Sequence, residues 1–151
     1  MCENKKKLQH WFFTSDLTFL SEAEEYQRQL DFLEVCLESD PLLNVDYEGH
    51  LTAREKVRTK KKVIQRISSE DGRKCRGRSG IFGKCYICQS ECMDDAKAVA
   101  MLVESRFPNL NGKVEIYPIG ATIGSHTGPG TVALFFWGKE RSGLTSVCKE
   151  M

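Results

Sequence analysis

Nowhere in these 151 residues is there an apolar run near the ~20 residues that a membrane-spanning helix requires. The basic start, Met-Cys-Glu-Asn-Lys-Lys-Lys, is followed by no apolar signal-peptide core, so a cytoplasmic protein with no membrane insertion is expected. Excess charge of either sign is also missing: 22 basic residues against 21 acidic leave +1, which speaks against a chain built to bind nucleic acid. Histidine is scarce, with His10, His50 and His126 the three, and His10 and His50 read as a packing residue at a strand edge and an exposed turn end. No Ser-His-Asp, Cys-His or paired-carboxylate arrangement can be assembled, so no catalytic residue is expected and the chain reads as no enzyme. The seven cysteines are an odd number in a chain without an export signal, which favours reduced thiols over a disulfide framework. A second Cys-x2-Cys pair, which a structural zinc site would usually need, is lacking. The one pair, Cys85 and Cys88, falls in a strand whose odd offset points the two thiols to opposite faces, with Cys75 and Cys92 on either side. Neither a metal nor a cofactor is expected, and the thiols read as buried or incidental.

What is present fits one domain, residues 1–151, large enough to bury a single core. Charge is segregated along it. Residues 16–40 hold eight acidic residues against Arg28, and residues 54–78 hold eleven basic against three acidic. The basic block lacks interleaved aromatics, so a solvated basic face is preferred to a nucleic-acid surface.

Residues 2–10 read as the tail of a helix whose beginning is missing, and His10-Trp11-Phe12-Phe13 as an apolar stretch that something must cover. A helix is expected from Ser21, in capping-box spacing with Glu24, with Tyr26, Leu30, Leu33 and Leu37 along one stripe and Pro41 beyond its end. Residues 42–46 and 50–58 read as a hairpin through Asp46-Tyr47-Glu48-Gly49, with Leu51, Ala53 and Val57 on one face. Thr59 caps a short basic helix with an apolar edge at Val63, Ile64 and Ile67, and residues 68–83 read as a mobile surface loop. A strand over 84–89 follows, then a helix with Ala96, Val99, Ala100, Val103 and Phe107 on one side, and strands over 114–117 and 131–137. Residues 139–151 read as a frayed tail. The order predicts an α+β fold, a mixed, largely antiparallel sheet packed with helices.

Between the last two strands, Gly120, Gly124, Gly128 and Gly130 surround Ser125, His126 and Thr127. Glycine lets backbone N–H groups converge, and hydroxyls with an imidazole beside them can bind an anionic oxygen. A plain loop before a buried strand is the competing reading of the same residues.

Several spaced segments in order resemble the DegV family of bacterial fatty-acid-binding proteins, and specifically its C-terminal domain. These are His10-Trp11-Phe12 with Asp16-Leu17 and Leu20, then Pro41-Leu42-Leu43-Asn44-Val45-Asp46, Glu48-Gly49-His50-Leu51 and Glu55-Lys56-Val57-Arg58. Cys92-Met93-Asp94-Asp95-Ala96 follows, and then Ile119-Gly120, Ile123-Gly124, His126-Thr127-Gly128-Pro129-Gly130 and Leu134-Phe135-Phe136. The resemblance implies a DegV C-terminal-domain-like fold and a non-catalytic carrier that holds a long-chain fatty acid between two domains and presents its carboxylate to a partner kinase. It implies ligand-binding roles for Ser125, His126 and Thr127, with His126 nearest the carboxylate, where an imidazole N–H donates to an anionic oxygen.

Two departures from the family shape the expectation. The family's N-terminal α/β domain, whose hydroxyls hold the carboxylate, is not among these residues. After Leu20, where the family carries a Lys-Arg-Gly-Gly-Arg-like motif, this chain has Ser21-Glu22-Ala23-Glu24-Glu25. A carboxylate in place of a cation turns attraction into repulsion, roughly 1 kcal/mol at 4 Å in water and about 4 at an effective dielectric of 20. Loss of phosphotransfer competence is therefore expected. The alternative from another class is a truncated interaction or structural remnant that binds no lipid and associates, as a homodimer or with the missing domain, through the surface that domain would cover.

Overall fold

The computed structural model describes residues 4–22, 39–74 and 83–138. A single turn of 3-10 helix at Lys5–Lys7 leads directly into strand β1, Leu8–Thr14. The helix expected over 2–10 is therefore absent from the described part of that stretch, because Leu8–Thr14 pairs residue for residue with Thr131–Trp137, and Trp11, Phe12 and Phe13 pair on their other side with Asn44, Leu43 and Leu42. Helix α1, Thr18–Glu22, follows, its first N–H groups met by Asp16, whose Oδ1 accepts from the Thr18 N–H at 2.9 Å. Ser21 thus lies inside a helix that has already begun, and the stripe at 26–37 lies outside the described residues.

Strands β2, Asp40–Val45, and β3, Leu51–Val57, form the expected hairpin. Pro41 is tolerated because β1 pairs only with Leu42, Leu43 and Asn44, so no ladder bond to β1 is asked of position 41. The turn is organised by Asp46, 1% exposed, whose Oδ1 accepts from the Glu48 and His50 N–H groups at 2.9 Å each. His50 is indeed an exposed turn end, its side chain 55% accessible.

Leu51, Ala53 and Val57 do not share a face. Leu42 pairs with Glu55 but Leu43 pairs with Ala53, so Arg54 is an extra residue in β3. Such a bulge reverses the alternation: Leu51 and Ala53 pack on one side of the sheet and Val57 on the other.

Helix α2 runs Lys60–Lys74, well into the segment expected to be a loop. Its apolar edge is the expected one, with Val63, Ile64 and Ile67 buried. The backbone carries on through Gly72 because one glycine costs a helix only about 1 kcal/mol. Residues 75–82, Cys75 included, lie outside the described residues. Strand β4, Tyr86–Ser90, helix α3, Met93–Arg106, strand β5, Glu115–Pro118, helix α4, Ala121–Thr127, and strand β6, Thr131–Trp137, complete the elements of the described residues.

The six strands form one sheet in the order β3-β2-β1-β6-β4-β5. Every neighbouring pair is antiparallel except β4 and β5. The fold is the predicted mixed, largely antiparallel sheet with helices against it. β1 and β6 are at its centre, and His10 is accordingly in a central strand, not at an edge.

The main core lies on one face, where Trp11 and Phe13 of β1 meet Val132 and Leu134 of β6 beneath α2 and α3. All five apolar positions expected on α3's inner side, Ala96, Val99, Ala100, Val103 and Phe107, are buried there. Alternate residues of the same strands build a second, smaller cluster on the opposite face from Phe12, Leu43 and Leu20 of α1. No helix among the described residues is long and apolar enough to cross a membrane.

Candidate functional site

β1 and β6 are apolar on both faces, and on the face away from α2 and α3 the described residues do not fill the space. His10 and Phe12 of β1, Ala133 and Phe135 of β6, Val45 and Leu51 of the hairpin and Cys88 of β4 floor a cavity of about 450 Å3. Register explains the grouping, since Phe12 pairs with Ala133, His10 with Phe135, and Cys88 with Ala133, so their side chains emerge on one side. The His10 imidazole stands edge-on to the Phe135 ring at 5.1 Å between centroids. One wall is the β5–α4 connection and α4 itself, through Pro118, Ile119, Gly120, Ile123 and Thr127. Among the described residues no aspartate, glutamate, lysine or arginine lines the cavity. Burial pushes the Cys88 thiol above its ordinary pKa, so it is held protonated at neutral pH.

The segment expected as a glycine loop is a helix, which changes how its residues are displayed. Ser125, His126 and Thr127 are successive on α4 and therefore point about 100° apart. Thr127 shares a face with Ile123, four residues earlier, and that face lines the cavity. The Thr127 Oγ1 donates to the Ile123 carbonyl at 3.1 Å. Ser125 and His126 are exposed, and the Ser125 hydroxyl donates to the Thr122 carbonyl at 2.8 Å. His126 is in the last turn of the helix, turned to solvent and not into the interior.

The glycines themselves are explained by the path of the chain. Gly128 has φ +73°, and a Cβ there would lie 2.4 Å from the Phe19 ring of α1. At Gly130, with φ +78°, an added Cβ would lie 3.1 Å from the Ser15 Cβ. These two positions turn the chain from α4 into β6 under α1. The turn is fixed by buried hydroxyls: the Thr131 Oγ1 lies 3.0 Å from the Thr14 Oγ1 and from the Thr127 and Gly128 carbonyls. The wall that carries His126 is thereby pinned to both central strands.

Cys85 and Cys88 do point to opposite faces: Cys85 is in the main core and Cys88 on the cavity floor. Cys92 donates its S–H to the Thr131 carbonyl at 3.2 Å. Sequence reasoning missed His10, Ala133 and Cys88 as cavity residues. The signal lies in the apolar runs Trp11-Phe12-Phe13 of β1 and 132–137 of β6, since a strand buried on one face alone alternates and these do not.

A family model described as "Uncharacterised protein, DegV family" matches residues 1–139. A DegV domain-containing protein of Clostridium perfringens is 29% identical over 136 residues, covering 90% of this chain and 45% of that one. Among solved structures, the fatty acid binding DegV family protein of Streptococcus agalactiae superposes with a TM-score of 0.77 at 24% identity, covering 91% of this chain and 47% of that one. The Streptococcus pneumoniae Fatty Acid Kinase (Fak) B3 protein, solved loaded with linoleic acid, gives a TM-score of 0.76 at 14% identity, with 91% and 47% covered. Identities this low establish the shared fold alone. The chain spans a little under half the length of the curated relatives it matches. With the family model covering residues 1–139 and the fold agreeing, the chain belongs to the DegV family.

Proposed function

We propose that this chain is a non-catalytic fatty-acid-binding domain that works as part of a carrier. The observation that carries the reading is the apolar cavity on the sheet face away from α2 and α3. Its volume, about 450 Å3, falls within the range of roughly 300–1,000 Å3 usual for small-molecule sites. A hydrocarbon chain is the ligand that such a lining favours. It gains about 0.8 kcal/mol for each methylene buried and asks for no hydrogen bonds along its length.

The carboxylate end belongs at the α4 wall, where Thr127 borders the cavity and His126, one residue before it, stands in solvent. Ser125, His126 and Thr127 are the proposed head-group residues, with the His126 imidazole the group best placed to donate to a carboxylate that emerges from the cavity. The exposed Tyr117 and Trp137 extend the apolar surface beyond the cavity. They are the proposed seat for the rest of the ligand cradle, supplied from outside residues 1–151. In a complete carrier the exposed carboxylate would be offered to a kinase. The acidic run that begins at Glu22 argues against phosphotransfer by this chain.

Native mass spectrometry of the purified chain tests the proposal. A co-purified long-chain fatty acid at one per chain is the expected result, and a clean apo mass after gentle desalting, unchanged by added oleate or palmitate, would overturn it.

A further inference from the structure

The basic block of the sequence is not used by the acyl cavity, and the fold gathers part of it into a second concavity. Between β3, α2 and the end of α3 lies a cleft of about 680 Å3 lined, among the described residues, by Lys56, Arg58, Lys62, Arg66, Arg106 and one carboxylate, Glu55. Among the described residues of the lining, five cations stand against one carboxylate. The bulge at Arg54 creates this arrangement. By reversing the alternation of β3 it sends Glu55 to the helix side, where its Oε2 accepts from the Arg66 Nε. The acidic group that the described residues contribute to the cleft is therefore already engaged by one of its own cations. Arg106 reaches across from α3, its Nη1 donating to the Gln65 carbonyl at 3.4 Å, which holds a guanidinium at the rim. Arg58 and Lys62 are exposed.

The charge is also placed against the local preference of the helix. α2 opens with Lys60, Lys61 and Lys62 and has no acidic residue in its first turn, although the positive end of a helix dipole favours carboxylates there. Lys60 is compensated by Asp95 of α3, at 2.7 Å, while Lys62 faces the cleft. Local rules are broken in this way most often where a site gains from it. Three guanidiniums and two ammoniums around one hollow suit an anion with several charges and many acceptor oxygens, since guanidinium forks match phosphate oxygens in pairs.

We propose that this cleft binds a polyphosphate group, a chain of two or three linked phosphates, whether free or carried by a nucleotide. The site lies on the helix side of the hairpin and is independent of the acyl cavity on the other face. Isothermal titration of the full chain with inorganic tripolyphosphate and with ATP, at matched ionic strength, tests it. Both are expected to bind once per chain. Equal affinity assigns recognition to the phosphates alone, and tighter ATP binding assigns it to a nucleotide. The double variant Arg58→Gln, Lys62→Gln should weaken binding about tenfold or more, as loss of charge-assisted hydrogen bonds implies, with its melting temperature and fatty-acid content unchanged. Lys97→Gln, an exposed α3 lysine outside the cleft, should leave binding as it is. The proposal is overturned if neither ligand binds, if the double variant binds as well as the parent, if Lys97→Gln weakens binding equally, or if sulfate at the same ionic strength displaces the ligand as well as tripolyphosphate does.

Discussion

Replacing Phe13 by alanine lowers stability by about 3–5 kcal/mol, the usual cost of removing a fully buried aromatic ring. The ring is 0% exposed in the central strand, directly across from Val132 and packed beneath α2 and α3. The strands on either side are held by their own ladders and cannot close the hole. Domains of this size are stable by roughly 5–15 kcal/mol in total, so the variant loses about a fifth or more of that margin. Thermal unfolding should shift down by roughly 6–20 °C. Met101→Ala on the solvent side of α3, 69% exposed, should stay within about 0.5 kcal/mol of the parent. Comparable losses in the two variants would place the core elsewhere than between the sheet and those helices.

Ala133→Phe separates the two faces of the sheet by function. Ala133 lies in β6 between Phe12 and Cys88 on the floor of the acyl cavity, and a benzyl group there grows into space that the proposed hydrocarbon occupies. A ring that displaces two methylenes removes about 1.6 kcal/mol of burial, slightly more than tenfold in affinity, and displacement of four exceeds a hundredfold. Because the ring fills a cavity and forces no packed side chain aside, the fold should survive, with stability held within the 1–3 kcal/mol typical of added bulk. Titration with a fluorescent fatty acid, beside a thermal melt, checks both halves. Undiminished affinity in a folded Ala133→Phe variant would move the acyl chain off this face.

The parts of the fold that were legible in the sequence are those whose burial is one-sided. α3 shows a clean stripe from Ala96 to Phe107, and the 42–58 hairpin is marked by the Asp46–Gly49 turn, so both emerge where expected. The start of β1 carries no strand signal because Leu8-Gln9-His10 mixes apolar and polar residues without a period, and Trp11-Phe12-Phe13, buried whichever face each one takes, does not alternate. The face of Val57 was hidden by the bulge at Arg54, since nothing in Thr-Ala-Arg-Glu announces an extra residue. α2 was read too short because serines, charges and Gly72 carry no period, although a helix already anchored by Val63, Ile64 and Ile67 continues through them.

The candidate site was legible in part and for a mixed reason. The glycines drew attention to Ser125–Thr127, yet Gly128 and Gly130 are required by the close passage under Phe19 and Ser15. The helical turn before them displays Thr127 to the cavity and His126 to solvent, which a loop reading could not distinguish. The floor was not visible, because His10, Cys88 and Ala133 are brought together only by strands adjacent in space and far apart in sequence.

Cys88 offers the most direct measurement of the central claim, that a fatty acid lies on the sheet face away from α2 and α3. Its thiol is on the cavity floor and kept protonated by burial, whereas Cys92, four residues on, lies outside the lining and is bonded to the Thr131 carbonyl. Alkylation by iodoacetamide at mildly alkaline pH, followed residue by residue through peptide mass mapping with and without saturating oleate, compares the two. The account predicts that oleate slows modification of Cys88 by about tenfold or more, as a site closed by burial of a few methylenes implies, and leaves Cys92 unchanged. Equal rates at Cys88 in the presence and absence of bound oleate would contradict it.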